Sequence, residues 1–271
     1  AIMQKRSVVT HSFQQIVGYR NLDELKGLLM DFSYRVLKKD CTDLPPKTYT
    51  IRLVELTPEQ KRIYKELKDY AVAELGDSET VTTNSVITQI LRLQQVLCGF
   101  TRADTGEITQ IPSNRMKELL ATLEELEGKC IIWANYQHDI RQIEVEIAKI
   151  YGLDSVASYY GETPADSRQG IVTKFQDENS PLRFFVGQPR TGGFGLTLTA
   201  ASTVIYYSNS YDLEIRLQSE DRAHRIGQDN KVTYIDICAE KTVDEKIIKS
   251  LRSKIDIATQ ILGENYREWL V

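Results

Sequence analysis

The sequence predicts an α/β protein whose mostly parallel sheet carries helices on both faces, preceded by a mainly helical extension. Two observations carry the α/β part. From about Met116 onward, short apolar runs alternate with segments of helical period. Helix-opening signals, a capping hydroxyl followed by Pro or an acid, stand between several of these runs. The third observation is a contrast: the first 115 residues lack that alternation and hold longer helical patterns. The boundaries read from the sequence are therefore 1–115, 116–262 and a tail, 263–271.

In the extension, helices are predicted around Asp23–Phe32, Pro58–Leu75 and Thr83–Leu97. Thr57-Pro58-Glu59-Gln60 forms a capping box with proline at the first helical position. Leu44-Pro45-Pro46 leads into an extended run, Lys47–Leu56, and Gly76–Thr83 is a polar break. Arg102–Ser113, with Asp104-Thr105-Gly106, reads as a loop. This half is expected to wrap around the α/β core.

In the second part, Cys130–Ala134 is an apolar strand, and Gln137–Tyr151 is a helix with Ile140, Ile143, Ile147 and Ile150 on one face. Ser155–Tyr159 is a strand. Thr163 is expected to cap the next helix, with Pro164 first and Asp166 three residues after the cap. Leu182–Val186 is a strand followed by the glycine-rich Gly187–Leu196. Thr203–Tyr207 (strand), Leu213–His224 (helix) and Val232–Cys238 (strand) follow. Thr242-Val243-Asp244-Glu245 opens a long last helix striped by Val243, Ile247, Leu251, Ile255, Ala258 and Leu262.

Composition narrows the function classes. A chain of 271 residues has ample length for a core, and 41% apolar with 27% charged residues reads as a soluble globular protein. No apolar run reaches the length of a membrane span, so no membrane partner is expected. Cys41, Cys98, Cys130 and Cys238 lack metal-ligand spacing, and His11, His138 and His224 are dispersed, so no metal site is proposed. The cysteines read as reduced thiols, which places the protein inside the cell, in cytoplasm, nucleoid or nucleus. A net charge of −4 limits any nucleic-acid contact to loops and a few side chains. The chain starts at Ala1-Ile2 without an initiator methionine: removal of Met before Ala is the plain reading, a piece cut from a longer protein the sharper one.

The segment from Gln218 to Gln228 is the most informative. Were Leu213–Arg225 a helix, 100° per residue would put Gln218, Arg222 and Arg225 in one stripe, with Leu213 and Leu217 anchoring another face. Two guanidiniums aimed the same way form a planar, permanently charged clamp suited to a phosphoryl group. The plain alternative is a solvated helix with Arg–Glu pairs. Gly187 to Gly195 is a near-miss for a phosphate loop, because Gly193-Phe194 replaces the required Lys-Ser/Thr. Its small residues, with Arg190, suit close approach to a phosphodiester backbone. No Asp-Glu pair ends an apolar strand in a way that would hold Mg²⁺.

Taken together, these pieces resemble the second RecA-like lobe of superfamily-two helicases, specifically the SWI/SNF-related DNA translocases. The resemblance runs through Gln218-x-x-Asp221-Arg222-x-x-Arg225-Ile226-Gly227-Gln228 and Gly192-Gly193-x-Gly195-Leu196-x-Leu198-Thr199-Ala200-Ala201. Tyr160-Gly161 through Arg168 and Phe175, and Lys129–Tyr136, match earlier segments. Tyr34–Asp40, Leu44-Pro45-Pro46-Lys47 and Leu56–Gln60 resemble the region joining the family's two lobes. Thr197 departs from the usual Asn, and Gln188-Pro189 from a small hydroxyl pair.

The resemblance implies a motor with ATP, and its Mg²⁺, held mainly by a first RecA-like lobe of the same protein. Arg222 and Arg225 would act as arginine fingers, with Gln218 positioning them or the neighbourhood of the attacking water, and Gly193 and Gly195 bordering the nucleotide. Tyr136, Tyr160, Gly161, Arg190, Thr191 and Gly192 would grip double-stranded DNA by its phosphates. This chain alone is then expected to be inactive as an ATPase. The competing readings are a non-enzymatic α/β interaction module and an RNA helicase lobe.

Overall fold

The computed structural model describes residues 2–8, 11–18, 20–33, 43–77, 83–103, 105–192 and 195–262. Its contacts divide the chain into two units, Ala1–Asp43 with Arg252–Val271, and Leu44–Leu251. In the first unit, β1 (Ile2–Val8) and β2 (His11–Gly18) form an antiparallel hairpin, and α1 (Leu22–Met30) follows.

The second unit holds β3 (Lys47–Val54), α2 (Pro58–Asp77), α3 (Thr83–Cys98), β4 (Phe100–Arg102), β5 (Ile108–Gln110) and α4 (Arg115–Glu124). Then come β6 (Lys129–Trp133), α5 (Gln137–Tyr151), β7 (Val156–Tyr159), α6 (Ala165–Gln176), β8 (Phe184–Gly187) and the one-turn α7 (Pro189–Gly192). Last are β9 (Ala201–Tyr206), α8 (Leu213–Glu220), β10 (Val232–Ala239) and the start of α9 (Val243–Leu262), which belongs to this unit up to Leu251. Six strands make one all-parallel sheet, ordered β3-β10-β9-β6-β8-β7. The α/β expectation therefore holds.

Both faces of the sheet are dry at its centre, as a parallel sheet requires, while Ile51 and Leu53 on the edge strand β3 stay exposed. Along β6, Cys130 and Ile132 point to one face, where Leu119, Leu123, Ile140, Ile143 and Ile147 cover them. Ile131 and Trp133 point to the other, against Phe175, Phe185 and Tyr206. Gly187 is set by this packing: a Cβ there would lie 2.7 Å from the Trp133 ring. The glycine is in a strand, not in a flexible loop.

Local signals were followed where their partners are local. Thr57 and Gln60 form the reciprocal box, with Gln60 N donating to Thr57 Oγ1 at 3.2 Å and Thr57 N to Gln60 Oε1 at 3.1 Å. Elsewhere tertiary partners took over. Thr163 does not cap α6: its hydroxyl accepts from Tyr160 N at 3.0 Å and donates to Ser158 O at 3.2 Å, and Pro164 occupies the cap. Ile150 lies past the covered part of α5 and is exposed. Arg102–Ser113 is not all loop: β4 and β5 pair as a hairpin, turned by Gly106 at φ 90°. At the last helix, Glu245 accepts from Lys241 N, one residue before the expected box, while Thr242 Oγ1 accepts from Asp244 N. Of that helix's stripe, Val243, Ile247 and Leu251 are buried; the side chains of Ile255, Ala258 and Leu262, like the tail 263–271, lie outside the described residues.

Helix α8 differs most from expectation. It ends at Glu220, because Arg222 O accepts from Leu198 N at 2.9 Å and so leaves the helical ladder. Leu213 and Leu217 are only half-buried; the buried residues are Arg216, Ser219 and Glu220. Arg216 donates to Asp236 Oδ1 (2.5 Å), Asn209 Oδ1 (2.7 Å) and Glu220 Oε1 (2.9 Å), and its guanidinium lies 3.5 Å from the Tyr206 ring centroid. Glu220 also accepts from Tyr49 Oη at 2.7 Å and Lys47 Nζ at 3.2 Å. Burial pushes the Glu220 carboxyl up, but Lys47 and Arg216 outweigh it, and the net direction is down. A second buried arginine, Arg115, pairs with Asp244 and donates to Leu97 O and Ile237 O, tying α4 to β10 and α9.

Asp139, in the first turn of α5, is buried and pushed up to about 7 by desolvation, with the Cys98 thiol and Arg115 opposing. Its folded pKa lies above its unfolded one, so the native state holds this proton more tightly. Its contribution is present at acid pH and is lost as pH rises toward 7. Asp139→Asn should remove that decline, whose slope is at most about 1.4 kcal/mol per pH unit. Urea unfolding between pH 5 and pH 8, about the range in which the shifted group titrates, checks this; parallel profiles for the two proteins would contradict it.

Candidate functional site

The turn after α8 brings two of the candidate residues together. Arg222 Nη1 and Arg225 Nη1 both donate to one carbonyl, Leu196 O, at 3.3 and 3.2 Å. Arg222 Nε donates to Gln218 O at 2.9 Å. The Gln218 side chain turns away to Glu214 Oε1 at 2.9 Å, so Gln218 holds Arg222 through its backbone. The carboxylates nearby are engaged by other cations: Glu220 by Arg216 and Lys47, Asp221 by Lys47. No ion pair of Arg222 or Arg225 is found among the described residues. Burial lowers the Arg222 pKa, and the Arg225 charge lowers it further against Asp221. Two like charges thus share a single neutral acceptor, and most of their N–H groups stay available for an anion.

The turn is held from two sides. Gln228 donates to Thr199 O, Ala201 O and Ala223 O at 2.9–3.2 Å, and Gly227 takes φ 95° to close it. On the other side, His224 Nε2 lies 2.8 Å from Pro45 O. Gly195 is exposed at φ 76°, next to Leu196. Gly193 lies outside the described residues. These arginines adjoin the segment entering the amino end of β9, not the carboxyl ends of the strands.

The other candidates do lie at the carboxyl ends. Tyr136 follows β6, Tyr160 and Gly161 follow β7, and Arg190, Thr191 and Gly192 form α7 after β8. Arg190 and Gly161 are exposed, and Thr191 is half-buried. Gln188 braces α7 by donating to Asn135 O at 3.0 Å and accepting from Thr191 Oγ1 at 3.3 Å, which gives its departure from a small hydroxyl a structural use. Tyr160 is buried; its hydroxyl lies 3.4 Å from Arg141 Nε and from Glu162 Oε2. Tyr136 packs edge-on against Phe100, with its hydroxyl 3.4 Å from Leu91 O and Gln94 Oε1. Arg168 donates to Tyr160 O, Gly161 O and Thr163 O and so shapes that turn. A cleft of about 580 Å³ opens beside Tyr136 and Arg190, walled by Ile90, Leu91, Tyr211 and Ile215.

Sequence reasoning passed over Arg141, which stacks over Tyr160 and pairs with Glu162, and the Lys47–Glu220–Arg216–Asp236 chain. The spacing of Arg216 and Glu220, four apart, was the available signal, but it reads equally as a solvated pair. No group of three or more His, Cys, Asp or Glu among the described residues could hold a metal ion.

Comparison with known proteins addresses the family and the fold. The helicase conserved C-terminal domain profile matches residues 113–227, and the SNF2-related domain profile matches residues 4–100. The chain is 27% identical over 255 residues to the ISWI chromatin-remodeling complex ATPase CHR11 of Arabidopsis thaliana, covering 90% of this chain and 24% of that one. An uncharacterized ATP-dependent helicase of Mycoplasma pneumoniae is 26% identical, covering 85% and 22%. The chain thus spans about a quarter or less of these relatives. Among solved structures, the Sulfolobus solfataricus SWI2/SNF2 ATPase core in complex with dsDNA superposes with a TM-score of 0.64 at 26% identity, covering 92% of this chain and 54% of that one. The two profile matches, over residues 4–100 and 113–227, and the parallel RecA-like sheet support a SNF2-family helicase C-terminal lobe.

Proposed function

We propose that the chain is the second motor lobe of an ATP-dependent double-stranded DNA translocase, working with a first RecA-like lobe of the same protein. The observation that carries this is the arginine turn: two guanidiniums converge on Leu196 O, and among the described residues neither forms an ion pair with a carboxylate. A surface helix held by Arg–Glu pairs would not leave them so. The relatives named as ATPases and helicases, and the neighbour solved with dsDNA, support the same reading. Residues 1–115 then serve as the family-specific extension and interlobe region, and the protein works inside the cell; three buried free cysteines are in keeping with that.

ATP, when bound, supplies the phosphoanhydride whose cleavage drives the motor. Arg222 and Arg225 present donors and fixed charge to its terminal phosphate. Gln218 orients Arg222 through its carbonyl, and Gly195 lets the backbone approach closely. Leu196 O keeps the guanidiniums parked together, so meeting a phosphate exchanges a neutral acceptor for an anionic one. Arg190, Thr191, Gly192 and Gly161, with Tyr136 and Tyr160 behind them, form the surface for a DNA strand. Contacts to phosphates carry no sequence information, which suits movement along any duplex.

In the longer protein, Arg225→Ala should lower DNA-stimulated kcat by about 10³-fold or more with little change in KM. Arg222→Ala should behave alike, and the double variant little worse, because the pair acts as one unit. Arg225→Lys should not rescue, since an ammonium lacks the planar fork. Steady-state kinetics check this; variants that keep turnover but unfold at lower temperature would return the turn to a structural role.

Arg190→Ala should weaken binding equally for all duplex sequences and flatten the slope of log K against log salt by about 0.9. Fluorescence titration across a salt series measures it. An unchanged slope, or a loss confined to one sequence, would remove Arg190 from the DNA surface.

A further inference from the structure

We infer that His224 and Glu220 are positioning residues that clamp the segment entering the edge strand to the turn bearing Arg222 and Arg225. The inference rests on reading those arginines as the phosphate-binding pair. Four contacts make the clamp. His224 Nε2 donates to Pro45 O at 2.8 Å. Tyr49 Oη and Lys47 Nζ meet the same Glu220 oxygen at 2.7 and 3.2 Å, and Lys47 Nζ lies 3.8 Å from Asp221 Oδ1. Beside them, Val232 N donates to Pro46 O at 3.2 Å, joining the segment to the strand that follows the turn.

The sequence positions make this more than edge-strand docking. Glu220 and His224 bracket Arg222, and His224 is the residue before Arg225. Pro45 and Pro46 fix φ and offer no N–H, so this stretch is stiff and bonds through its carbonyls, Pro45 O to His224 and Pro46 O to Val232 N, while Lys47 and Tyr49 reach the turn through their side chains. Leu44 begins the larger unit, so residues 44–49 are its covalent entry from everything before them. Glu220 is fully buried, and its charge must keep its partners. A shift of the entering segment therefore cannot leave the turn where it was: Pro45 pulls on His224, and Lys47 with Tyr49 pull on Glu220. Movement of the preceding part of the protein is converted into placement of two guanidiniums. The Leu196 carbonyl, which both arginines share, is the resting end of that travel.

The test uses the longer protein with His224→Ala and His224→Gln, the amide nitrogen of Gln standing where Nε2 stands. Three readouts are taken: hydrogen exchange of residues 221–226 and 47–50 without nucleotide, kcat and KM for DNA-stimulated ATP hydrolysis, and the thermal midpoint. His224→Ala should speed exchange in both segments several-fold and lower kcat by up to about 10²-fold with KM little changed. His224→Gln should restore both, and the midpoint should hold for each. Unaltered exchange in residues 221–226, or a fall in kcat that Gln does not rescue, overturns the clamp. The exchange readout is independent of the arginines' chemistry. If Arg225→Ala keeps full turnover, the functional reading fails while coupled exchange of the two segments still tests the clamp.

Discussion

A buried ion-pair cluster, Arg216 with Asp236, Asn209 and Glu220, is the constraint on which the rest of the second unit depends. Helix α8 has no continuous apolar stripe to seat it, and its fully sequestered side chains are Arg216, Ser219 and Glu220. Its orientation is therefore set by charge. Arg216 reaches Asp236 on β10 and Asn209 after β9, while Glu220 reaches Lys47 and Tyr49 on β3. A buried charge that loses its partner costs about 3–5 kcal/mol, so a helix slipped by one residue would be excluded. Well-packed apolar residues often match such a cluster in net stability; what the charges add is a single permitted arrangement of helix and three strands.

That arrangement decides what happens next along the chain. With Glu220 held by β3 and Arg222 O taken by Leu198 N, the helix must stop, and Arg222 and Arg225 are carried onto the segment before β9. The carboxylates that would quench them are already committed to Arg216 and Lys47. The DNA candidates stand elsewhere, at the carboxyl ends of β6, β7 and β8. Residues 189–200 connect the two regions, from the exposed Arg190 to the loop under the arginines.

How much of this was legible followed the range of the forces involved. The central strands and helix Gln137–Tyr151 were readable because apolar runs and helical period are properties of the chain itself. The Thr57–Gln60 box was readable for the same reason: both partners lie within one turn. Thr163 was misread as a cap because Ser158 and Tyr160 compete for its hydroxyl in the fold. Helix α8 was drawn too long because Leu198, distant in sequence, claims the carbonyl that would continue it. Lys47–Leu56 looked merely extended; nothing local says that Lys47–Val54 pairs with Val232–Ala239. The arginine pair was found by its motif, although the reason given for its convergence, a shared helical stripe, was wrong. Arg216 and Glu220 were passed over because an ion pair four residues apart looks solvated until the sheet is built behind it.

The central claim is that Arg222 and Arg225 rest together on Leu196 O and are released to meet phosphate. The most direct measurement is a structure of the longer protein bound to duplex DNA and a phosphoryl transition-state analogue such as ADP with aluminium fluoride. The account predicts both guanidiniums off Leu196 O and within hydrogen-bond distance of the analogue, with Arg216, Asp236 and Glu220 unmoved. Guanidiniums still on Leu196 O, or paired with Asp221 or Asp229 away from the analogue, would contradict it.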